Sequence, residues 1–140
     1  MRTKQEQNEM RRRLLYLWFP HFSIERYKRN EIDKRAKQDD FSGIIIIQDR
    51  AGRRVVIASC SLALKMGVAV GLSLEDALAA CPSLLVFEAD LIADQLTIET
   101  LARWCGRYTP LVSIDKANKG LGDAGIWLDI TGCAHLFGGE

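Results

Sequence analysis

No two of the four cysteines, Cys60, Cys81, Cys105 and Cys133, lie closer than 21 residues, and no CxxC pair occurs. That spacing argues against a zinc knuckle or a small disulfide framework. Cys60, Cys81 and Cys105 sit within apolar patterns, which predicts buried reduced thiols. There are only two histidines, His21 and His135, far apart and without cysteines at ligand spacing. Each reads as a surface or cap residue rather than a metal ligand. Gly132, Gly138 and Gly139 flank a short helix and match no phosphate-loop spacing. No apolar run approaches the roughly 18 residues of a membrane span, and Met1 to Arg13 has no hydrophobic signal region. A cytoplasmic protein with no membrane partner is expected. Neither sign of charge is in excess, with 19 Lys/Arg against 18 Asp/Glu. Bulk electrostatics therefore neither demand nor exclude a polyanionic partner.

With 48% apolar residues, the 140-residue chain has enough material for one real core. Its charge is unevenly spread: the first 40 residues carry 11 Lys/Arg against 7 Asp/Glu, and the remainder 8 against 11. Arg11-Arg12-Arg13 could touch phosphate, although a solvated basic tail is the simpler reading of so short a run.

Residues 1–13 are polar and predict a disordered tail. Leu14 to Trp18 is a short apolar run stopped by Pro20, and it reads as a buried strand. A short helix over Phe22 to Arg29 and a charged mobile connection over Asn30 to Asp40 follow. Four consecutive isoleucines within Gly43 to Gln48 predict a buried strand. Asp49-Arg50-Ala51-Gly52 then turns the chain into a second strand, Arg53 to Ala58. Ser59 to Met66 is expected to be helical, closed by Gly67. Ser73-Leu74-Glu75-Asp76 has capping-box spacing and opens a helix ending near Cys81-Pro82. Leu84 to Phe87 is a strand. Asp90 to Tyr108 is the longest helix, with Ile98, Leu101, Ala102, Cys105 and Tyr108 on one face. Two apolar strands close the pattern, Leu111 to Ile114 and Ile126 to Ile130, before a helix start at Thr131-Gly132. The alternation predicts an α/β or α+β architecture.

The strand ending at Ile114 runs straight into Asp115, a carboxylate at a strand end. Metal-dependent phosphoryl transfer needs several such groups converging on two divalent ions. The next residue is Lys116, whose ammonium repels a cation and cannot be a ligand. SID followed by WLDITGCAHLFGG resembles the palm motif of the Y-family (translesion, UmuC-like) DNA polymerases, where SIDE is followed by a YLDIT-like strand. LLYLWFPHFSIER resembles the family's opening strand and turn. VVIASCSLALKMGVAVGLSLEDALAACPSLLVFEAD resembles its fingers segment, and the helix from Asp90 stands where the family has the helix before its acidic pair. RYTPLV and LDITGCAHLFGG resemble in particular the ImuB-type branch, a catalytically degenerate relative of bacterial mutagenesis cassettes. The resemblance covers residues 14–139. It implies an incomplete palm from residues 14–20 and 83–140, with residues 21–82 as inserted fingers. The rest of the palm, the thumb and the little finger would lie beyond Glu140.

The resemblance also implies a set of losses. Trp18 stands at the family's first metal-binding Asp, where indole offers one N–H donor and no anionic oxygen. A core aromatic at a strand end is expected there. Asp115 matches the Asp of SIDE and Lys116 its Glu; an Asx-turn is the expected role of Asp115. The family's triphosphate contacts are the Tyr and Arg of ASYEARKFG. ASCSLALKMG offers Cys60 and Leu64 for them and keeps only Lys65, the solvated end of its helix. Leucine cannot replace a guanidinium fork. Ser23 falls near the position that screens the sugar 2′-hydroxyl in active members. Asp129 is expected to cap or hydrogen-bond locally, and Asp123 to serve a turn.

Three functions follow as alternatives. The first is a non-catalytic Y-family relative acting as a scaffold in DNA repair, translesion synthesis and damage-induced mutagenesis. The resemblance then implies as partners a sliding clamp, a RecA-like companion protein and an error-prone replicative-type DNA polymerase. DNA contact would be weak or indirect, and no catalytic residue, metal or cofactor is expected, since Mg2+ belongs to active members. The second is an active nucleotidyltransferase with carboxylates relocated to Asp115, Asp123 and Asp129. The third is a truncated α/β interaction module.

Overall fold

Ile44, Ile45, Ile46 and Ile47 are all buried, because their strand is the middle one of a sheet covered on both faces. The computed structural model describes residues 12–29, 43–115 and 123–138. Arg11, most of the expected tail, the connection Asn30 to Asp40, and Lys116 lie outside them. The described elements are β1 (Leu14–Phe19), α1 (Phe22–Tyr27), β2 (Gly43–Arg50), β3 (Arg53–Ser59), α2 (Ser61–Lys65), α3 (Leu74–Ala80), β4 (Leu84–Glu88), α4 (Leu91–Cys105), β5 (Val112–Ile114), β6 (Ala124–Asp129) and a 3-10 turn over Ala134–Phe137. The α+β layering predicted from sequence is what forms.

Two three-stranded sheets result. The first has the order β1-β6-β5 and is antiparallel throughout, with Tyr16 opposite Trp127 and Ser113 opposite the same Trp127. Its inner face presents Leu17, Phe19, Val112, Ile114, Ala124, Ile126 and Leu128 to Phe22 and to Ile98, Leu101, Ala102 and Cys105 of α4. Four of the five residues expected on one face of that helix thus pack inward; Tyr108 lies past the helix end and is exposed.

The second sheet has the order β3-β2-β4, with β2 and β3 antiparallel and β2 and β4 parallel. A parallel pair needs a long crossover, and α2 and α3 supply it, burying Ala63, Leu74 and Ala77 against the isoleucines. Strand β4, at the start of the segment 83–140 that the resemblance assigns to the palm, pairs with β2 and not with β1, β5 or β6. Helix α1 links the two cores, with Phe22 in the first and Ile24 in the second.

The ends are set by local chemistry. Ser73 Oγ accepts from the Asp76 backbone N–H at 3.1 Å, and Asp90 Oδ1 accepts from Ala93 N–H at 2.9 Å. After α2 the chain turns through Gly67 at φ 86°, a conformation that costs a glycine little. Arg13, expected in a loose tail, instead extends the ladder: its N–H donates to Thr131 Oγ1 and its carbonyl accepts from Ile130.

Candidate functional site

Along a strand successive side chains alternate between faces. With Leu17 and Phe19 turned inward on β1, Tyr16 and Trp18 must turn outward, joined by Trp127 of β6 and Ser113 of β5. Trp18 is 59% exposed and Trp127 42%. The expectation that Trp18 is a core aromatic is therefore wrong. The run LLYLWF is apolar at every position, so it gave no clue to which parity faces in.

Tyr16 organises this outer face. Its ring lies 4.3 Å from that of Trp127, tilted by 33°. Its hydroxyl donates to Asp115 Oδ2 at 2.8 Å. Asp115 is thus held by a phenol from another strand; residues 116–120, on which the expected Asx-turn would close, lie outside the described residues. Sequence reasoning missed Tyr16, Gly125 and Trp127 as site residues. The signal for them was parity counted outward from Asp115 and from the buried even-numbered positions of β6.

The carboxylates that a relocated metal site would need do not converge. Asp123 Oδ1 accepts from the His21 backbone N–H at 2.9 Å, fixing the chain where His21 takes φ 55° before α1. Asp129 sits six residues further along β6, roughly 20 Å away at the rise of a strand. There its Oδ1 accepts from Thr131 N–H at 3.0 Å and its Oδ2 lies 3.7 Å from Arg12 Nε. Thr131, through its hydroxyl and its backbone N–H, and then Arg12 hold the Asp129 carboxyl below the usual range. Among the described residues no group of three potential ligands is close enough to hold a metal ion. Trp18, Asp115 and Asp123 do not make the oxygen-rich set that Mg2+ requires.

Ser23 is buried, and its hydroxyl donates to Asp94 Oδ2 at 2.6 Å. Arg26 Nε donates to the other oxygen of the same carboxylate at 2.5 Å. Burial pulls the Arg26 pKa down, but the hydrogen bond and charge of Asp94 outweigh it and leave the guanidinium above its ordinary value. This Ser23–Asp94–Arg26 triad ties α1 to α4. Ser23 accordingly serves helix packing. An open groove of about 1500 Å³ runs beside the triad and reaches Ser113 and Asp115, with Arg50 and Arg103 on its walls.

On the second sheet, Cys60 is buried at the N-cap of α2, where its Sγ accepts from Ala63 N–H at 3.4 Å and from Ile44 N–H at 3.2 Å. Its side chain is thus committed to the cap. Leu64 and Lys65, the other positions matched to the family's triphosphate contacts, are exposed, and neither supplies a guanidinium. His135 is exposed in the 3-10 turn, and Cys133 is half-buried.

Comparison with known proteins places this geometry. The model of the impB/mucB/samB family matches residues 36–140. Protein ImuB of Caulobacter vibrioides is 45% identical over 75 residues, covering 54% of this chain and 15% of that protein. The crystal structure of DinB from Sulfolobus solfataricus is similar at a TM-score of 0.69 and 12% identity, over 87% of this chain and 33% of that one. The insertion ternary complex of Dbh DNA polymerase is similar at 0.70 and 12%, with the same coverage. The chain thus spans 15% of the curated relatives' length and about a third of the solved chains. Identities this low carry the fold and not the chemistry.

Proposed function

The chain belongs to the impB/mucB/samB family and has the fold of the Y-family DNA polymerase palm region, and from that premise we propose that it works without catalysis, as a scaffold in DNA repair and translesion synthesis. In this reading the first sheet with α4 is palm, and the second sheet with its helices is fingers. The observation that carries it is Trp18. It faces outward at the end of β1, on the same sheet face as Asp115, and by the family resemblance it stands for the first metal-binding carboxylate.

Phosphoryl transfer draws its acceleration from positioning and from metal ions and cationic side chains that stabilise charge. Here Trp18 supplies no ligand, Asp115 is engaged by Tyr16, and Cys60 and Leu64 supply no charge to a triphosphate. The partners implied by the family resemblance, a sliding clamp, a RecA-like companion and an error-prone replicative-type polymerase, complete the proposal. The chain would help bring the last of these to damaged template.

Primer-extension assays on the full-length protein with Mg2+ or Mn2+ test it. No template-directed incorporation is expected. Trp18→Asp combined with Lys116→Glu is expected to remain inactive, since the triphosphate would still lack its arginine. Extension that disappears on Asp115→Ala would sink the non-catalytic reading.

A further inference from the structure

We propose that this chain pairs with a second copy of itself through the open edge of β5. The two copies of the first sheet join edge to edge about a two-fold axis at Ser113, and the exposed side of α4 closes the contact. The inference stands apart from the non-catalytic reading, since neither the β5 edge nor this side of α4 holds a position matched to metal or triphosphate.

The backbone of β5 determines what it can take. Asp129 N–H donates to the Leu111 carbonyl, and Asp115 N–H to the Gly125 carbonyl. In an antiparallel ladder bonded pairs alternate with unbonded ones. Leu111, Ser113 and Asp115 therefore turn their backbone groups toward β6, and Val112 and Ile114 turn theirs away. Among the described residues no strand lies on that side. An edge meant for solvent is usually guarded by lysine, proline or a bulge, and Val112-Ser113-Ile114 has none of these. The outward groups are self-complementary. Turned about Ser113, Val112 falls opposite Ile114 of the second copy, and Ile114 opposite Val112 of the second copy, so that each pair exchanges both of its bonds.

A strand this short is too small an interface by itself, since a stable one buries about 800 Å² on each partner. Helix α4 supplies more. It packs against β5, and its Leu91, Ile92 and Leu96 line the same groove as Val112 and Ile114. Ile92 is 76% exposed and Leu96, one helical turn on, 57%. A two-fold through Ser113 sets the two copies of α4 side by side and antiparallel, apolar stripe against apolar stripe. The charges agree with that arrangement. Asp94 in the first turn of α4, Asp115 just past β5 and Asp123 just before β6 gather at one end of the groove, and Arg103 in the last turn of α4 stands at the other. Among the described residues Arg103 has no carboxylate partner and donates to Thr100. The two-fold brings the basic end of each copy to the acidic end of the other. Glu99, one turn before Arg103, and Arg50, on the wall formed by the second sheet, complete the charged lining. A nucleic acid would meet more carboxylates than guanidiniums here, and a lone peptide strand would leave the α4 stripe uncovered.

Sedimentation velocity on the full-length protein reads the assembly. The mass is expected to rise from one chain to two as concentration increases. Every residue enters a two-fold contact twice, so Ile92→Asp and Leu96→Asp are each expected to weaken the dimer by about 10-fold or more. Ser113 lies opposite its own counterpart in an unbonded pair, where Cα atoms approach to about 4.5 Å, close enough for a disulfide. Ser113→Cys in a Cys133→Ser background should therefore cross-link on mild oxidation, while Ser61→Cys, exposed on α2, should not. Ser113→Lys and Ser113→Glu should each weaken pairing, and the two mixed should restore it. Thermal melting separates a lost contact from a lost fold. A protein that stays monomeric throughout the micromolar range overturns the proposal. Amide exchange then tells what stands in place of the second copy: slow exchange at Val112 and Ile114 in that monomer assigns the edge to another part of the chain, and fast exchange leaves it to solvent. A dimer indifferent to Leu96→Asp, or one without the Ser113 cross-link, uses another surface and overturns the proposal likewise.

Discussion

Tyr16 reaches over Gly125 to place its hydroxyl against Asp115. A Cβ at position 125 would lie 2.1 Å from the Tyr16 hydroxyl oxygen and 2.6 Å from the ring carbon that bears it. Glycine is needed there for clearance, not for backbone freedom. The tyrosine, the glycine and the aspartate come from three different strands and act as one unit.

That unit predicts a non-additive pair of substitutions. Gly125→Ala is expected to destabilise by about 1–3 kcal/mol, the usual cost of overpacking. In a Tyr16→Ala background the same change should cost much less, because nothing remains for the methyl to strike. Urea denaturation of the two single variants and the double variant measures the coupling. Costs that simply add would contradict the packing.

Asp94 is the second expected weak point. Asp94→Ala strips a partly buried guanidinium of its carboxylate and Ser23 of its acceptor. A loss of about 1–3 kcal/mol is expected, the cost of leaving such groups without a hydrogen-bond partner. Replacing Arg26 as well, as Asp94→Ala with Arg26→Met, should recover a good part of that loss. Denaturation midpoints at neutral pH decide it. A double variant less stable than Asp94→Ala would show that Arg26 stabilises by its own contacts, such as its stacking on Tyr27.

Asp129 sets an acid limb. Its folded-state pKa is depressed, so its contribution to stability is present above the unfolded value near pH 4 and is lost as pH falls through the folded value. Stability of the wild type relative to Asp129→Asn should be flat above about pH 5 and should decline below about pH 4. A wild-type advantage unchanged down to pH 2, measured by urea titration, would remove Asp129 from the account.

The four thiols should separate by reactivity. Cys60, Cys81 and Cys105 are buried, and burial raises the Cys105 pKa, which lowers its thiolate fraction further. Cys133 is half-buried and makes only a long contact of 3.8 Å to the Thr131 carbonyl. Brief iodoacetamide treatment of the native protein followed by peptide mass analysis should find Cys133 modified first. Early alkylation of Cys60 would mean that the α2 cap opens readily.

Most of the fold was legible because its signals are local. The isoleucine run, the Ser73 cap, the Asp90 cap and the glycine after α2 each act within a few residues and each stands where the sequence put it. What failed depends on contacts between distant residues. Nothing in LLVFE says which of two sheets it will join, and that is settled by pairing with Ile44 to Ile47. The parity of LLYLWF is decided by β6, more than a hundred positions away. The bond of Asp115 to Tyr16 had no local signal, because the tyrosine lies 99 residues earlier. The role of Cys60 as a cap was likewise hidden, because its second donor, Ile44 N–H, lies 16 residues earlier.

The pairing of β1 with β6 also fixes an order of events during synthesis. The contact between Arg13 and Thr131 spans 118 residues, and loop closure of that length is slow as well as entropically costly. The second sheet, by contrast, is complete once Glu88 has left the ribosome. β1 must therefore wait, an apolar strand without its neighbour, while the middle of the chain folds first. For that interval Leu14, Leu15 and Leu17 form an unpaired edge on a nascent chain, the kind of segment that chaperones bind and that aggregates when they are scarce.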